Sequence, residues 1–288
     1  MFEELRSALA SSNNCDVIIY IHGFANDFVN TAKRAAALQE LYGEGGSKAI
    51  VVMFSWPSNG RVFPAWQYFS DRDDAQASGL AMARALEKLI DFLRDMMRRD
   101  RGRMVIAERE GRELTREDFE HCGQRLHIVA HSMGGWALRH AVNSYAEKHP
   151  GPLPGIFDKV FLMAADADAD ALSRQDKLGP LLQMSNEIHV YHARDDLALE
   201  VSYNTKGNPK RLGTNGPDDI DDLPRNVIGI DCQDVSDTTA SHGRHQYYRL
   251  REEVIKDVKL TLADAAQEDR PGRKVITPMR RYRLKDSG

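Results

Sequence analysis

Ser132 stands where an apolar, strand-like run at residues 126–130 ends and a helical pattern begins near Trp136. Small residues lie two positions before it and two positions after it, at Ala130 and Gly134. A sharp strand-to-helix turn requires small residues there, because larger side chains would collide with the turn. Such a turn leaves the serine hydroxyl free at the carboxyl edge of a sheet. The pattern therefore predicts a nucleophile for acyl transfer.

A serine becomes a strong nucleophile when a base takes its proton and a carboxylate orients that base. Serine hydrolases built on a doubly wound sheet supply these groups in the chain order serine, acid, histidine. Asp195 and Asp196 follow the fifth apolar run of this chain, and His242 and His245 follow the sixth. The order predicts a triad of Ser132 with one member of each pair, and the residues alone leave both choices open.

His22-Gly23-Phe24 follows the first apolar run. A glycine at this point lets the backbone turn, so that a nearby N–H group, at Phe24, points toward the serine. The second N–H donor is expected at Met133, the residue after the nucleophile. These groups predict an oxyanion hole. Aromatic residues near the strand ends are candidates for the wall of an acyl pocket: Phe24, Trp56, Phe63, Trp66 and Tyr68.

Asp166, Asp168 and Asp170 alternate after the fourth run and resemble the start of a calcium loop. The loop fails that pattern, because Ala171 replaces the glycine of the bend and Lys177 replaces the bidentate glutamate. One of these acids, Asp166 in particular, is instead expected to support the catalytic loop or to orient the base. The predicted chemistry uses no metal and no cofactor.

Six short apolar runs predict the strands that position these groups. They are nearly continuous rather than alternating, which is typical of parallel strands buried on both faces. They lie at residues 17–21, 49–54, 126–130, 160–164, 188–191 and 227–230. Helical patterns separate them, at residues 31–41, 73–98, 136–145 and 252–262. The alternation predicts an α/β fold with a doubly wound, mostly parallel sheet, helices on both faces, and a ligand site at the carboxyl ends of the strands.

Residues 1–269 are predicted to form a single domain, within which residues 99–123 form a charged insertion. Residues 270–288 are rich in arginine and lysine and are predicted to be an extended or loosely docked basic tail. Most histidines outside the predicted site are expected at the surface.

The composition is that of a water-soluble protein, with 42% hydrophobic and 28% charged residues and a net charge of −4. The charge gives no indication of a nucleic-acid partner. No apolar stretch approaches the length of a membrane-spanning helix, and the N-terminus lacks a signal-peptide pattern. Three scattered cysteines, Cys15, Cys122 and Cys232, favour reduced thiols and a cytoplasmic location.

Several motifs recur here in the order found in one known family. They are His22-Gly23-Phe24, Phe54-Ser55-Trp56-Pro57-Ser58, His131-Ser132-Met133-Gly134, Ala164-Ala165-Asp166-Ala167-Asp168, Asp196-Leu197-Ala198-Leu199 and His245-Gln246-Tyr247-Tyr248. Over residues 17–248 the chain resembles the α/β-hydrolases grouped as domain of unknown function nine hundred. The resemblance implies an α/β-hydrolase fold with Ser132, Asp196 and His245 as the triad. The chain departs from the family's pattern at Ala165, where the family frequently has proline, and in the extra His242.

The residues together predict a serine hydrolase that cleaves an ester, thioester or related acyl bond of a small-molecule substrate. A peptidase or amidase would use the same triad, because the sequence does not specify the leaving group. The alternative from another functional class is a non-catalytic binding or scaffold protein that keeps the fold. The sequence does not predict the oligomeric state.

Overall fold

The structure is a computed structural model. It describes residues 3–5, 7, 16–43, 49–64, 66–115, 125–199, 210–218, 220–236, 243–266, 269–270, 272–277 and 280–285. Within these ranges eight strands form one sheet, in the order β2-β1-β3-β4-β5-β6-β8-β7. The strands are β1 Asp16–Ile21, β2 Ala49–Phe54, β3 Leu126–His131, β4 Phe157–Met163, β5 Ser185–His192, β6 Val227–Asp231, β7 Arg273–Thr277 and β8 Arg281–Leu284. All neighbouring strands are parallel except β7 and β8, so the predicted mostly parallel sheet is confirmed.

Helices cover both faces of this sheet. They are α1 Phe28–Gly43, α2 Gln67–Ala77, α3 Gly79–Glu110, α4 Met133–Lys148, α5 Leu181–Met184, α6 Leu212–Asn215, α7 Tyr247–Leu250 and α8 Glu252–Leu262. Alternate side chains of β1 enter two different apolar clusters. Val17, Ile19 and Ile21 pack with α3 and α4, whereas Ile18 and Tyr20 pack with α1 and α8. Burial on both faces explains why the strands read as continuous apolar runs.

The helical pattern predicted at residues 73–98 belongs to two helices, which meet at Ser78. The Ser78 hydroxyl donates to the Asp74 carbonyl oxygen at 2.8 Å and satisfies the end of α2. A Cβ atom at Gly79 would lie 2.5 Å from the His140 Cβ, so the glycine lets α3 approach α4 closely. α3 then continues to Glu110 and ends at Gly111, whose φ is +63°. The first part of the predicted insertion is therefore a helix extension, and residues 116–123 lie outside the described residues.

The prediction of a basic tail is wrong. β8 pairs in parallel with β6, and β7 pairs antiparallel with β8, so this segment completes the sheet. Leu284 is fully buried, and the buried Arg273 guanidinium forms two hydrogen bonds with the Asp257 carboxylate of α8, at 2.6 and 2.8 Å. Three arginines of this segment pair with acids of the domain: Arg273 with Asp257, Arg280 with Asp221 and Arg283 with Asp231.

His189 of β5 links stability to pH. The ring is fully buried against Phe161, and burial lowers its pKa from 6.5 to about 4. Because the unfolded chain binds this proton at higher pH, acidification from about pH 7.5 to about pH 5 favours unfolding by about 2 kcal/mol. We expect His189→Gln to reduce the pH dependence of the unfolding free energy by that amount in urea titrations. An unchanged pH dependence would contradict the assigned burial effect.

Among the described residues, no helix is both long enough and apolar enough to cross a membrane.

Candidate active site

Ser132 lies on the turn between β3 and α4 in a backbone conformation that few non-glycine residues adopt, with φ 54° and ψ −123°. Two glycines make the turn possible. A Cβ atom at Gly134 would lie 2.4 Å from the Ile21 carbonyl oxygen, and one at Gly23 would lie 2.8 Å from the Ser132 Cβ. The turn is therefore packed directly against the end of β1, as a strained nucleophile turn requires.

Backbone hydrogen bonds hold this turn in place. The Ser132 N–H donates to the Met163 carbonyl oxygen at 2.9 Å. The Ser132 carbonyl oxygen accepts from the N–H groups of Asp166 and Gly135, at 3.0 and 2.9 Å. The ends of β3 and β4 are thus joined at the serine, which counteracts the cost of its unusual backbone angles.

His245 and Asp196 form a close, buried side-chain pair at this edge of the sheet. The His245 Nδ1–H donates to Asp196 Oδ2 at 2.7 Å. Asp196 is completely buried, and its Oδ1 accepts from the N–H groups of Ala198 and Leu199 at 3.1 and 3.2 Å. With Nδ1 donating to the carboxylate, the imidazole presents Nε2 as the atom that can accept a proton.

The other two candidate acids have different partners. Asp195 Oδ2 accepts from Arg244 at 2.7 Å and from the Ser236 hydroxyl at 3.0 Å. Asp166 is buried beneath the serine turn, where its carboxylate accepts from the Tyr68 hydroxyl and lies 3.7 Å from Arg211. Of the three candidate acids, only Asp196 contacts His245 within the described part of the chain. His242 lies outside the described residues.

His131 brings the serine turn and His245 together, a role that the sequence analysis missed. Its ring centroid lies 4.6 Å from that of His245 and 4.4 Å from that of Tyr248. Its Nε2–H donates to the His245 carbonyl oxygen at 3.1 Å. Complete burial holds the pKa of His131 well below its usual value, so the ring is neutral. We infer that His131, which directly precedes Ser132, positions the His245 backbone and ring.

The described residues include no hydrogen bond between the Ser132 hydroxyl and the His245 ring. Such bonds are often long in ligand-free enzymes and shorten when substrate binds.

The expectation that most other histidines lie at the surface is wrong. His127, His131 and His189 are buried, since they sit on central strands that are covered on both faces. That position is the signal by which the sequence could have placed them inside.

His22 and Trp56 support the loop that carries Gly23 and Phe24. The Trp56 N–H donates to His22 Nε2 at 3.1 Å, so His22 Nδ1 must be the nitrogen that donates to the Gly23 carbonyl oxygen, at 3.0 Å. The Asn26 side-chain amide donates to the Gly23 and Phe24 carbonyl oxygens at 3.0 and 2.8 Å. Burial lowers the pKa of His22, which keeps this ring neutral.

Trp56 does not form a substrate wall, contrary to the prediction. It is only 2% exposed, stacks on the His22 ring at 4.7 Å and donates its indole N–H to the His22 carbonyl oxygen at 2.8 Å. The indole belongs to the apolar cluster between the sheet and the helices, so it is not available to contact a substrate.

Met133 begins α4, so its N–H group has no acceptor within the helix. Met133 directly follows Ser132 in the chain, and the amino end of a helix favours negative charge. Within the described ranges, no cluster of three or more histidine, cysteine, aspartate or glutamate side chains is placed to hold a metal ion.

Comparison with known proteins identifies the family. A family model described as an alpha/beta hydrolase of unknown function (DUF900) matches residues 2–122 and 100–262, two segments that overlap. Curated proteins give no match. The match covers most of the chain and confirms both the resemblance and the α/β-hydrolase fold. The chain belongs to the DUF900 family of α/β-hydrolases, whose function is unknown.

Proposed function

We propose that this protein is a serine hydrolase that cleaves an ester, thioester or related acyl bond of a small-molecule substrate. One observation carries the proposal. A buried Asp196 carboxylate holds His245 at 2.7 Å, and His131 connects that ring to the strained turn of Ser132. Buried pairs of this kind, next to a serine on a strand-to-helix turn, are the arrangement that activates serine for acyl transfer.

In the first half of the reaction, Ser132 Oγ attacks the acyl carbonyl carbon while His245 Nε2 takes the hydroxyl proton. Asp196 stabilises the imidazolium that results. The N–H groups of Phe24 and Met133 donate to the oxygen that becomes negative in the tetrahedral intermediate. When the intermediate collapses, the bond to the leaving group breaks, His245 returns the proton to that group, and the acyl group remains on Ser132.

In the second half, His245 takes a proton from water, whose oxygen attacks the acyl-enzyme. When the second tetrahedral intermediate collapses, the bond between the acyl carbon and Ser132 Oγ breaks, His245 returns the proton to Oγ, and the acid is released. Each step moves a proton or an acyl group between protein atoms, water and substrate.

A panel of acyl esters with increasing acyl-chain length tests the proposal. We expect turnover, with a rapid initial release of alcohol when hydrolysis of the acyl-enzyme is the slow step. Folded protein that turns over no member of the panel, including thioesters and amides, would favour the non-catalytic binding protein.

Asp196→Asn is expected to lower kcat by about 10³-fold or more. The Ala198 and Leu199 N–H groups would hold the amide oxygen and turn the amide NH2 toward His245 Nδ1, which favours the wrong tautomer and leaves the imidazolium without a counter-charge. Asp195→Asn is the matched control. Its carboxylate binds the partly exposed Arg244, so we expect less than about tenfold loss. Steady-state kinetics of both variants on one ester measure the two losses. Equal losses would contradict the assignment of Asp196.

A further inference from the structure

Six large apolar side chains are exposed on two segments beside the predicted oxyanion loop. The most exposed are Phe63 at 82%, Val62 at 66%, Phe28 at 65% and Trp66 at 62%. We call the full set the aromatic surface: Phe28, Val29, Val62, Phe63, Trp66 and Phe69. Four of the six are aromatic. Large apolar groups clustered on a surface mark an interaction site, whereas single ones require no explanation.

Neighbouring residues of the two segments are in contact, which places the two parts of the aromatic surface near each other. The Asn26 N–H donates to the Ser58 hydroxyl at 3.1 Å, and a Cβ atom at Gly60 would lie 3.2 Å from the Asp27 Cβ. The start of α1 therefore lies against the loop that leads into α2.

A chain of ring contacts connects the aromatic surface to the site. Phe69 packs edge-on against Tyr68 at 5.7 Å, and Tyr68 packs against Phe24 at 5.6 Å. Phe24 follows Gly23, which touches Ser132. The Phe69 end of the aromatic surface is therefore linked through packed rings to the loop beside Ser132.

Two cations border the aromatic surface. Lys33 lies one helical turn after Val29 on α1, and Arg61 precedes Val62. Both are exposed, and neither pairs with an acid among the described residues. Two exposed acids border it as well, Asp27 directly before Phe28 and Asp73 one turn after Phe69, so these four charges cancel. Aromatic rings bordered by charges of both signs match the boundary between acyl chains and zwitterionic head groups, where rings insert and cations contact phosphate.

An apolar cavity of about 310 Å³ lies between the sheet and α3, on the face where Phe24 and Tyr68 pack and opposite the face that α1 covers. It begins at Ile21 and Phe54, the last residues of β1 and β2, and extends along β1 to Val17, about 13 Å away. Apart from Glu4, its lining is apolar. Its shape and chemistry suit an alkyl chain. A phospholipid has a phosphate head group, which the cations would bind, and an alkyl chain, which the cavity would bind.

We propose that the aromatic surface docks onto a phospholipid layer, so that a lipid ester reaches Ser132 from that layer. The choice of substrate rests on the proposed hydrolase function, whereas docking itself does not. A protein partner or a second copy of this chain would cover the exposed rings, but neither would account for the apolar cavity.

Vesicle binding by the full chain carrying Ser132→Ala tests docking without turnover. The probes are vesicles of phosphatidylcholine, alone and with phosphatidylglycerol, in flotation assays. We expect binding to both, together with a blue shift of tryptophan fluorescence as Trp66 enters the layer. Adding Phe63→Ser and Trp66→Ser should weaken binding by about a hundredfold, at roughly tenfold for each ring.

The matched control adds Met104→Ser and Ile106→Ser, a second exposed apolar pair, at 42% and 53% exposure. This pair lies near the far end of α3, about 38 Å along the helix from Gly79 to Met104. We expect it to bind vesicles like the parent protein.

Three results would overturn docking. They are no binding to either vesicle, binding that the ring substitutions leave unchanged, and a vesicle-free dimer in sedimentation velocity that these substitutions dissociate. Vesicle binding by a protein that hydrolyses no ester would instead leave docking in place and overturn the hydrolase function.

Discussion

Ser132→Ala is expected to lower ester turnover by about 10⁴-fold or more while the protein stays folded. The hydroxyl is the group that would form the acyl-enzyme, and no neighbouring side chain in the turn replaces it. A residual rate above the uncatalysed reaction should remain, because the oxyanion donors still bind the substrate carbonyl. The measurement is kcat on the best ester of the panel, together with the initial burst of alcohol.

The fold provides a control for this variant. Ser132 is held through backbone hydrogen bonds to Met163, Asp166 and Gly135, all of which alanine retains. The melting temperature should therefore stay close to that of the parent protein. A variant that keeps the burst would show that another residue is acylated.

His245→Gln is expected to lower turnover by about 10⁴-fold, because glutamine cannot accept the serine proton in the transition state. His242→Gln is the matched control, three positions earlier in the sequence, and should retain turnover within a few-fold. The comparison uses kcat/KM for both variants on one ester. Near-normal activity in His245→Gln with loss in His242→Gln would assign the base to His242.

The central strands were predictable because both of their faces are buried. A parallel strand covered on both faces must be apolar along its whole length, as Val160 and Ile188 illustrate. The predicted runs therefore fall within strands, except that the fourth continues one residue past β4 to Ala164, and the observed strands begin up to three residues earlier, as β5 does at Ser185.

The last two strands were not predictable by that rule. β7 is at the edge of the sheet, and three of its five residues are exposed. β8 alternates arginine with Tyr282 and Leu284, so one face is buried while the other carries charge. The buried ion pair of Arg273 with Asp257 joins residues 16 positions apart and has no local sequence signal.

Chain order placed the candidate residues at one edge of the sheet but did not choose between neighbours. Asp195 and Asp196 are adjacent in sequence, yet the backbone directs one carboxylate toward Arg244 and the other toward His245. Trp56 fell within a recognisable motif, but its burial depends on the stacked His22 ring from another strand end. Such choices depend on side-chain directions in three dimensions, which spacing alone does not encode.

Labelling with a fluorophosphonate probe tests the central claim most directly, because the probe reacts with serines that a neighbouring base activates. Intact-protein mass spectrometry followed by peptide mapping locates the adduct. We predict one adduct per folded chain, on Ser132, that is absent from Ser132→Ala and forms much more slowly in His245→Gln. A folded protein that acquires no adduct, or acquires it on another residue, would contradict the account of Ser132 as an activated nucleophile.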